Sequence, residues 1–406
     1  MPLDAAAKMP KPAHGRFESA CRRYGWLLAL GGFILTRAVV LLAAWTAPQD
    51  RAQPGPDWWS DWPLLRWDSG HYLGILREGY PATINDTVAF FPAYPLTAAA
   101  VRDLTGISDE DALVFSANAA ALLAAALVFA WARRAAGDAA AVRSVWLLAA
   151  YPASLFFSVG YTEGLFLLCT IASLLAMQRG WAPLALLAAA VASATRPPGA
   201  IVSLVVVLWL WQRDNWRCRP ATLARLCASA LISVSGLLAH QGYLAAHYGR
   251  TDAFAAAQQT WRARTVKKPL RDALTLRPVL SAAWRPVNYV LSGRWDRLAA
   301  HRTWDSFLNV LLLSIACAGL WRPGPFPRVV YLLAILTFLM AWLPDPAGGA
   351  RLYGISRYQL IAIPCFVRLA QWSAFRSVPC LAAWLALWLT LQTVWMRGFV
   401  DWQPVG

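Results

Sequence analysis

The stretch "WLLALGGFILTRAVVLLAAWTA", residues 26–47, decides the fold class of this chain. A single charged residue, Arg37, interrupts a run that is otherwise uncharged and mostly apolar. A helix crosses the hydrocarbon core of a bilayer with about 20 mainly apolar residues, and that core holds no water to satisfy an open backbone group. The stretch therefore predicts a transmembrane helix.

The rest of the chain repeats this pattern. The 406 residues are 58% hydrophobic and 14% charged, whereas soluble domains are about 45–50% apolar. The further apolar runs are residues 113–131, 142–159, 165–177, 181–194, 200–211, 223–244, 307–320, 329–343, 360–372 and 380–395. Pro152, Pro183 and Pro364 lie in or beside such runs and predict kinks. We therefore expect an all-α polytopic membrane protein, a bundle of about eleven transmembrane helices.

Lysine and arginine residues predict the orientation of the bundle. Residues 1–24 carry five of them, and basic segments stay in the cytoplasm, so we expect a cytoplasmic tail there. Residues 25–396 then form one transmembrane domain, and residues 397–406 form a C-terminal tail. The expected location is the cell membrane of a bacterium.

Three segments are predicted to lie on the extracytoplasmic side: residues 48–112, 248–303 and 344–358. The second holds eleven basic residues, which is unusual for an outer loop. This segment is long enough that its charge no longer determines on which side of the membrane it lies, so we interpret its basic character as functional.

The first outer segment contains "RWDSGHYLGILREGY", residues 66–80. Trp67, Leu73 and Tyr80 predict an amphipathic helix lying on the membrane surface. Asp68 stands near its start, where the helix dipole favours an ionised carboxylate that could take a proton from a hydroxyl. Other carboxylates compete for this role: Asp57, Asp61, Glu78, Asp86 and the acidic run Asp109–Asp111.

Ionisable residues also stand at span ends, where charge is costly and therefore indicates a site. They are Glu163 in "GYTEGLF", Arg196 in "ATRPPG" and Arg357 in "GISRYQL". The arginines favour an anionic headgroup, because guanidinium binds phosphate in a bidentate manner. The alternative is that these side chains extend to the interface without a further role.

Composition also limits the partners. The outer segments contain no cysteine, so we expect no disulfide there, and no His/Cys spacing predicts a metal site or another cofactor. The net charge of +16 is spread over loop ends, which favours anionic membrane lipids over nucleic acid. The acidic run Asp109–Asp111 precedes a span and indicates helix-start charges.

In chain order, "RWDSGHYLGILREGY", "AFFPAYPL", "YTEGLF" and "ATRPPG" resemble the GPI mannosyltransferase 2 family, the phosphatidylinositol-glycan class V type, and its bacterial relatives. These enzymes belong to the GT-C superfamily. The resemblance implies a GT-C-like bundle and transfer of a hexose, with mannose expected, from a polyprenyl-phosphate sugar. The acceptor would be a lipid-linked molecule or a glycan.

The resemblance also implies roles for residues. Asp68 would be the catalytic base of an inverting displacement, and residues 90–96 would shape the cavity. The departing phosphate needs a cation, for which Arg66, Arg196, Arg357 or a basic residue of the 248–303 segment is expected. The residues expected to bind substrate are Arg66, Trp67, His71, Tyr72, Glu163, Arg196 and Arg357.

Two other function classes fit a polytopic chain: a transporter or lipid flippase, and a membrane scaffold without activity. Transporters typically place a midplane site on broken helices related by internal repeats. This sequence shows no repeat and gathers its charged motif residues at one predicted face, which favours the transferase.

Overall fold

The computed structural model describes residues 16–48, 61–263, 283–298, 301–342 and 355–403. Within these ranges the chain is helical and contains no strand. The α-helices are α1 (Arg16–Trp45), α2 (Ser69–Glu78), α3 (Ala93–Thr105), α4 (Asp109–Ala136), α5 (Asp138–Ala150), α6 (Glu163–Arg179), α7 (Ala182–Ser193), α8 (Gly199–Arg213), α9 (Pro220–Ser233), α10 (Ser235–Tyr248), α11 (Ala253–Ala263), α12 (Arg285–Leu291), α13 (His301–Trp321), α14 (Leu332–Trp342), α15 (Ile355–Tyr358), α16 (Ile363–Ala370) and α17 (Val378–Val400).

Several helices are suited to a membrane. Within the described ranges, four are long and apolar enough to cross it: Arg16–Trp45, Asp109–Ala136, Thr303–Trp321 and Val378–Val400. A fifth span results if α9 and α10, which meet at an angle of 58°, are counted as one. Shorter apolar helices include α7 and α8. The prediction of an all-α membrane bundle is confirmed, while the number of eleven spans stays a prediction.

One predicted span, residues 142–159, is interrupted at Pro152, where the sequence predicts a kink. Helix α5 ends at Ala150, and residues Pro152–Phe157 form a 3-10 segment, because Pro152 cannot continue an α-helix. The break leaves carbonyl groups without helical partners, and the buried Arg37 of α1 donates to the carbonyls of Ala149, at 2.7 Å, and Ser154. Arg37, the single charged residue in the first apolar run, therefore provides hydrogen-bond donors for the carbonyl groups at this break.

Helix α2 differs from the prediction for residues 66–80. Instead of having one exposed face, it is buried at Ser69 and Gly70 and along residues 72–76, while its position at the membrane surface stays a prediction. The rings of Phe90 and Tyr94 cover Tyr72 at centroid distances of 5.1 and 5.2 Å, and α3 and α4 pack on the helix. The small residues on the second face of α2 allow neighbouring parts of the protein to pack there and exclude solvent.

The acidic run Asp109–Asp111 forms the first turn of α4, as predicted. Ser108 is the N-cap residue, and its hydroxyl accepts the backbone N–H of Asp111 at 3.1 Å. The carboxylates of Asp109 and Glu110 pair with Arg77 at the end of α2. This run therefore ties α2 to α4.

Candidate active site

Four charged side chains converge although they are far apart in sequence: Asp68, Glu163, Arg196 and Arg357, here named the charge cluster. Asp68 directly precedes α2, Glu163 begins α6, Arg196 lies in the turn between α7 and α8, and Arg357 lies in the four-residue helix α15. Arg357 Nη2 donates to Asp68 Oδ2 at 3.1 Å, and its Nε lies 3.3 Å from Glu163 Oε1. Arg196 Nη1 donates to the same Glu163 oxygen. Arg357 therefore bridges the two carboxylates.

The members of the charge cluster differ in exposure. The side chain of Glu163 is 2% exposed, that of Arg196 is 7% and that of Arg357 is 13%, whereas that of Asp68 is 23% exposed. Buried charges require partners of opposite sign, and two carboxylates here balance two guanidinium groups. Because their side chains are buried in the protein, Glu163 and Arg196 do not extend to the membrane interface, and the alternative that they do so without a further role is wrong for these two residues. Asp68 is the member that a substrate can reach most easily.

Aromatic rings surround the two arginines. The Arg357 guanidinium carbon lies 5.3 Å from the ring centre of Phe156 and 5.4 Å from that of Tyr161, and Arg196 lies 4.6 Å from that of Tyr358. The Tyr161 hydroxyl also accepts the backbone N–H of Asp68 at 3.1 Å. Sequence reasoning missed these rings, although Tyr161 stands in "YTEGLF" and Tyr358 follows Arg357 directly.

Electrostatics in the charge cluster keep the guanidinium groups charged. Burial alone would lower the pKa of Arg357, but Asp68 and Glu163 raise that pKa well above its ordinary value. Burial would raise the pKa of the Tyr358 phenol, yet Arg357 and Arg196 together bring it below its usual value. The carboxylates thus stabilise the positive charge of Arg357, whereas the two arginines favour negative charge at the neighbouring Tyr358.

The two residues before Asp68 attach it to the end of the chain. Trp67 has a φ of +59°, a left-handed conformation that costs a residue with a side chain about 1–3 kcal/mol. Its indole Nε1 donates to the carbonyl of Phe399 at 3.3 Å, and the buried guanidinium of Arg66 lies 5.2 Å from the ring centre of Trp402. Helix α17 and Trp402, which follows it, therefore hold the backbone that presents Asp68.

Two residues of α2 that are expected to bind substrate, His71 and Tyr72, have different surroundings. His71 Nδ1 lies 2.9 Å from Thr87 Oγ1, and its ring stacks on Phe90 at 4.4 Å, so the orientation of the imidazole is fixed. Tyr72 is buried between Phe90 and Tyr94, and burial raises the pKa of its phenol above the usual range. Tyr72 therefore packs inside the protein, and its role in binding substrate stays a prediction.

A large apolar cavity lies between α2, α3, α7 and α10. Its volume is about 730 Å³, and its wall includes Ala194, two residues before Arg196. Pro92, Ala93, Pro95 and Leu96 of the motif at residues 90–96 line its wall, and a role of this cavity in binding substrate stays a prediction. Its other lining residues include Ile75, Leu76, Leu187, Val191, His240 and Tyr243. An apolar space of this size is typical of a site for a small molecule or a lipid chain.

Some predicted residues cannot be placed. Asp57, Lys267, Lys268 and Arg271 lie outside the described residues, as does most of the 344–358 segment. Within the described ranges, no group of three His, Cys, Asp or Glu side chains could hold a metal ion. Independence from a metal stays a prediction.

Comparisons with known proteins agree with these features. The family model described as Mannosyltransferase (PIG-V) matches residues 58–209, which include Asp68, Glu163 and Arg196 but not Arg357. GPI alpha-1,6-mannosyltransferase 2 of Mus musculus is 31% identical over 196 residues, which are 42% of this chain and 38% of the mouse protein. The chain thus spans well under half of that relative.

Solved structures share the fold. Oligosaccharyltransferase AglB of Archaeoglobus fulgidus, in complex with an inhibitory peptide and a dolichol-phosphate, has a TM-score of 0.50 at 12% identity, covering 95% of this chain and 56% of that one. The oligosaccharyltransferase of the same organism tethered to an acceptor peptide has a TM-score of 0.52 at 13% identity, covering 96% and 56%. The predicted resemblance to class V mannosyltransferases and the GT-C-like fold are confirmed.

Proposed function

We propose that this chain is a membrane glycosyltransferase. It moves a hexose, with mannose expected, from a polyprenyl-phosphate sugar to a hydroxyl of a lipid-linked or glycan acceptor. The observation that carries the proposal concerns Asp68, which lies within the matched family segment and is the most exposed member of the charge cluster. Its carboxylate accepts a hydrogen bond from Arg357 Nη2 at 3.1 Å. A carboxylate that is fixed and accessible suits a general base.

The proposed reaction is a single displacement. Asp68 takes the proton of the acceptor hydroxyl while the hydroxyl oxygen attacks the anomeric carbon. The bond between that carbon and the phosphate oxygen breaks, and its electron pair leaves with the lipid phosphate. Attack from the side opposite the leaving group inverts the anomeric configuration, and no covalent intermediate with the protein is needed.

Arg357 is the proposed cation for the leaving phosphate. A guanidinium carries five N–H donors, so Arg357 can keep its contacts with Asp68 and Glu163 while another N–H reaches a phosphate oxygen. Glu163 holds Arg357 and Arg196 together and thereby prevents their mutual repulsion. A fixed cation in a partly buried site stabilises developing negative charge without reorganisation.

The apolar cavity is the proposed place for the lipid chain of the donor. AglB was solved with a dolichol-phosphate, which has the same kind of lipid chain. In this protein the cavity wall reaches Ala194, so a chain lying there would bring its phosphate towards Arg196. The predicted orientation places this site on the extracytoplasmic face of the cell membrane.

Transfer of radiolabelled mannose tests the proposal. Membranes containing the chain receive polyprenyl-phosphate mannose and a panel of lipid and glycan acceptors, and membranes containing Asp68→Asn are the control. Labelled product with the first and not the second supports the proposal. Movement of labelled lipid between leaflets without any mannosylated product would favour the flippase instead.

A further inference from the structure

Helix α13 carries buried polar residues at the start of an otherwise apolar span. They are Thr303, Asp305, Ser306 and Asn309, each less than 5% exposed. Asp305 is 2% exposed, and a carboxylate inside a membrane helix is costly enough to indicate a functional role. The proposed reaction assigns it none.

Asp305 is connected to the charge cluster through the backbone. Its Oδ1 accepts the backbone N–H of Ser356 at 3.2 Å, and Ser356 directly precedes Arg357. Asn309 donates to the carbonyl of Asp305 at 2.8 Å and lies 3.3 Å from Oδ2, which fixes the carboxylate. The sequence separation between Asp305 and Ser356 is 51 residues, so this is a tertiary contact.

Helix α15 needs such a support. It has four residues, and the first N–H groups of any helix have no partner within it. Its other end is fastened by Gln359, whose Nε2 donates to the carbonyl of Ala334 on α14 at 3.0 Å. Asp305 and Gln359 therefore hold the segment that carries Arg357 and Tyr358 from two sides.

We infer that Asp305 is a positioning residue for Arg357, an inference that rests on the proposed function. By fixing the Ser356 N–H it sets the depth of α15, so that one guanidinium reaches both Asp68 and Glu163. An error of about 1 Å in such placement can lower turnover about 100-fold.

Three variants test the contact from both partners. Asp305→Ala removes the acceptor, and we expect kcat to fall about 10- to 100-fold. Asp305→Asn keeps an acceptor oxygen, so kcat should stay within about threefold of wild type. Ser356→Pro removes the N–H donor within the first turn, where no hydrogen bond inside the helix is lost, and kcat should fall about 10- to 100-fold whether or not Asp305→Ala folds. Ser306→Ala, another buried polar residue of α13, is the matched control and should leave kcat unchanged.

Coupling to Arg357 separates positioning from general stability. In an Arg357→Gln background, adding Asp305→Ala should change kcat by less than about twofold, because Asp305 acts through Arg357. Full multiplication of the two losses would overturn the inference.

A readout without activity keeps the inference separate from the proposed function. Phenylglyoxal modification of Arg357, followed by peptide mass spectrometry, should be several-fold faster in Asp305→Ala than in wild type or Ser306→Ala. Equal rates in all three proteins would refute the positioning role, even if the chain transfers mannose. Absence of transfer by wild type, with faster modification in Asp305→Ala, would refute the proposed function alone.

Discussion

Replacement of Asp68 by asparagine distinguishes a general base from a structural carboxylate. Asparagine keeps an oxygen that can accept from Arg357 Nη2, and the contact between the Asp68 backbone N–H and Tyr161 does not involve the side chain. What Asp68→Asn removes is the proton acceptor and one negative charge. Loss of general base catalysis lowers turnover by about 10²- to 10⁴-fold, which corresponds to about 3–5 kcal/mol in the barrier.

The structural explanation predicts a much smaller effect. The Asp68 side chain is 23% exposed, so solvent screens part of its interaction with Arg357, and losing the charge costs about 1 kcal/mol at most. Turnover would then fall by less than about tenfold. The two explanations therefore predict results at least an order of magnitude apart.

The assay is single-turnover transfer by purified protein reconstituted in nanodiscs, with all variants matched for monodispersity. Asp61→Asn is the first control, because the Asp61 side chain is 93% exposed and lies 4.0 Å from Arg66. Glu78→Gln is the second control, because Glu78 is the last residue of the helix that Asp68 precedes. If folded Asp68→Asn keeps more than about a third of wild-type turnover, Asp68 is not the base. Loss of activity in a control alone would move the role to that carboxylate.

Three further predictions follow from the charge cluster and from the sequence. Glu163→Gln leaves Arg196 and Arg357 without their shared buried partner, so we expect the free energy of unfolding to fall by about 3–5 kcal/mol. The melting temperature of this variant should be lower than that of Asp61→Asn, and an unchanged melting temperature would contradict the pairing. Strong chelators should leave transfer intact, whereas activity lost with EDTA and restored by manganese would reveal a metal site. In a background without native cysteines, Ser60→Cys should react with an impermeant thiol reagent from outside and Arg134→Cys only after the membrane is opened; the reverse pattern would invert the predicted topology.

The members of the charge cluster could be found from sequence, but their pairing could not. Charge at span ends is costly, and this physical argument pointed to Glu163, Arg196 and Arg357. The contact between Arg357 and Asp68 joins residues 289 positions apart, and no local pattern encodes such a distance. The role of Asp305 was likewise hidden, because its partner is a backbone group of Ser356.

Two local contacts could not be predicted from hydropathy. Residues 142–159 form one apolar run in which Pro152 predicts the kink, but no local pattern predicts that Arg37 from another span donates to the buried carbonyls at this break. The periodicity of α2 indicates one apolar face, yet serine and glycine on its other face are small enough to be covered by the protein too. Hydropathy measures transfer into lipid and cannot tell lipid from a protein neighbour.

A donor competition tests the central claim most directly. Purified protein in nanodiscs receives an acceptor together with tritiated polyprenyl-phosphate mannose and ¹⁴C-labelled GDP-mannose at equal concentration. The proposed function predicts a product that contains tritium alone, because the charge cluster and the apolar cavity serve a lipid phosphate leaving group. A product that carries ¹⁴C would show a nucleotide donor and contradict the account.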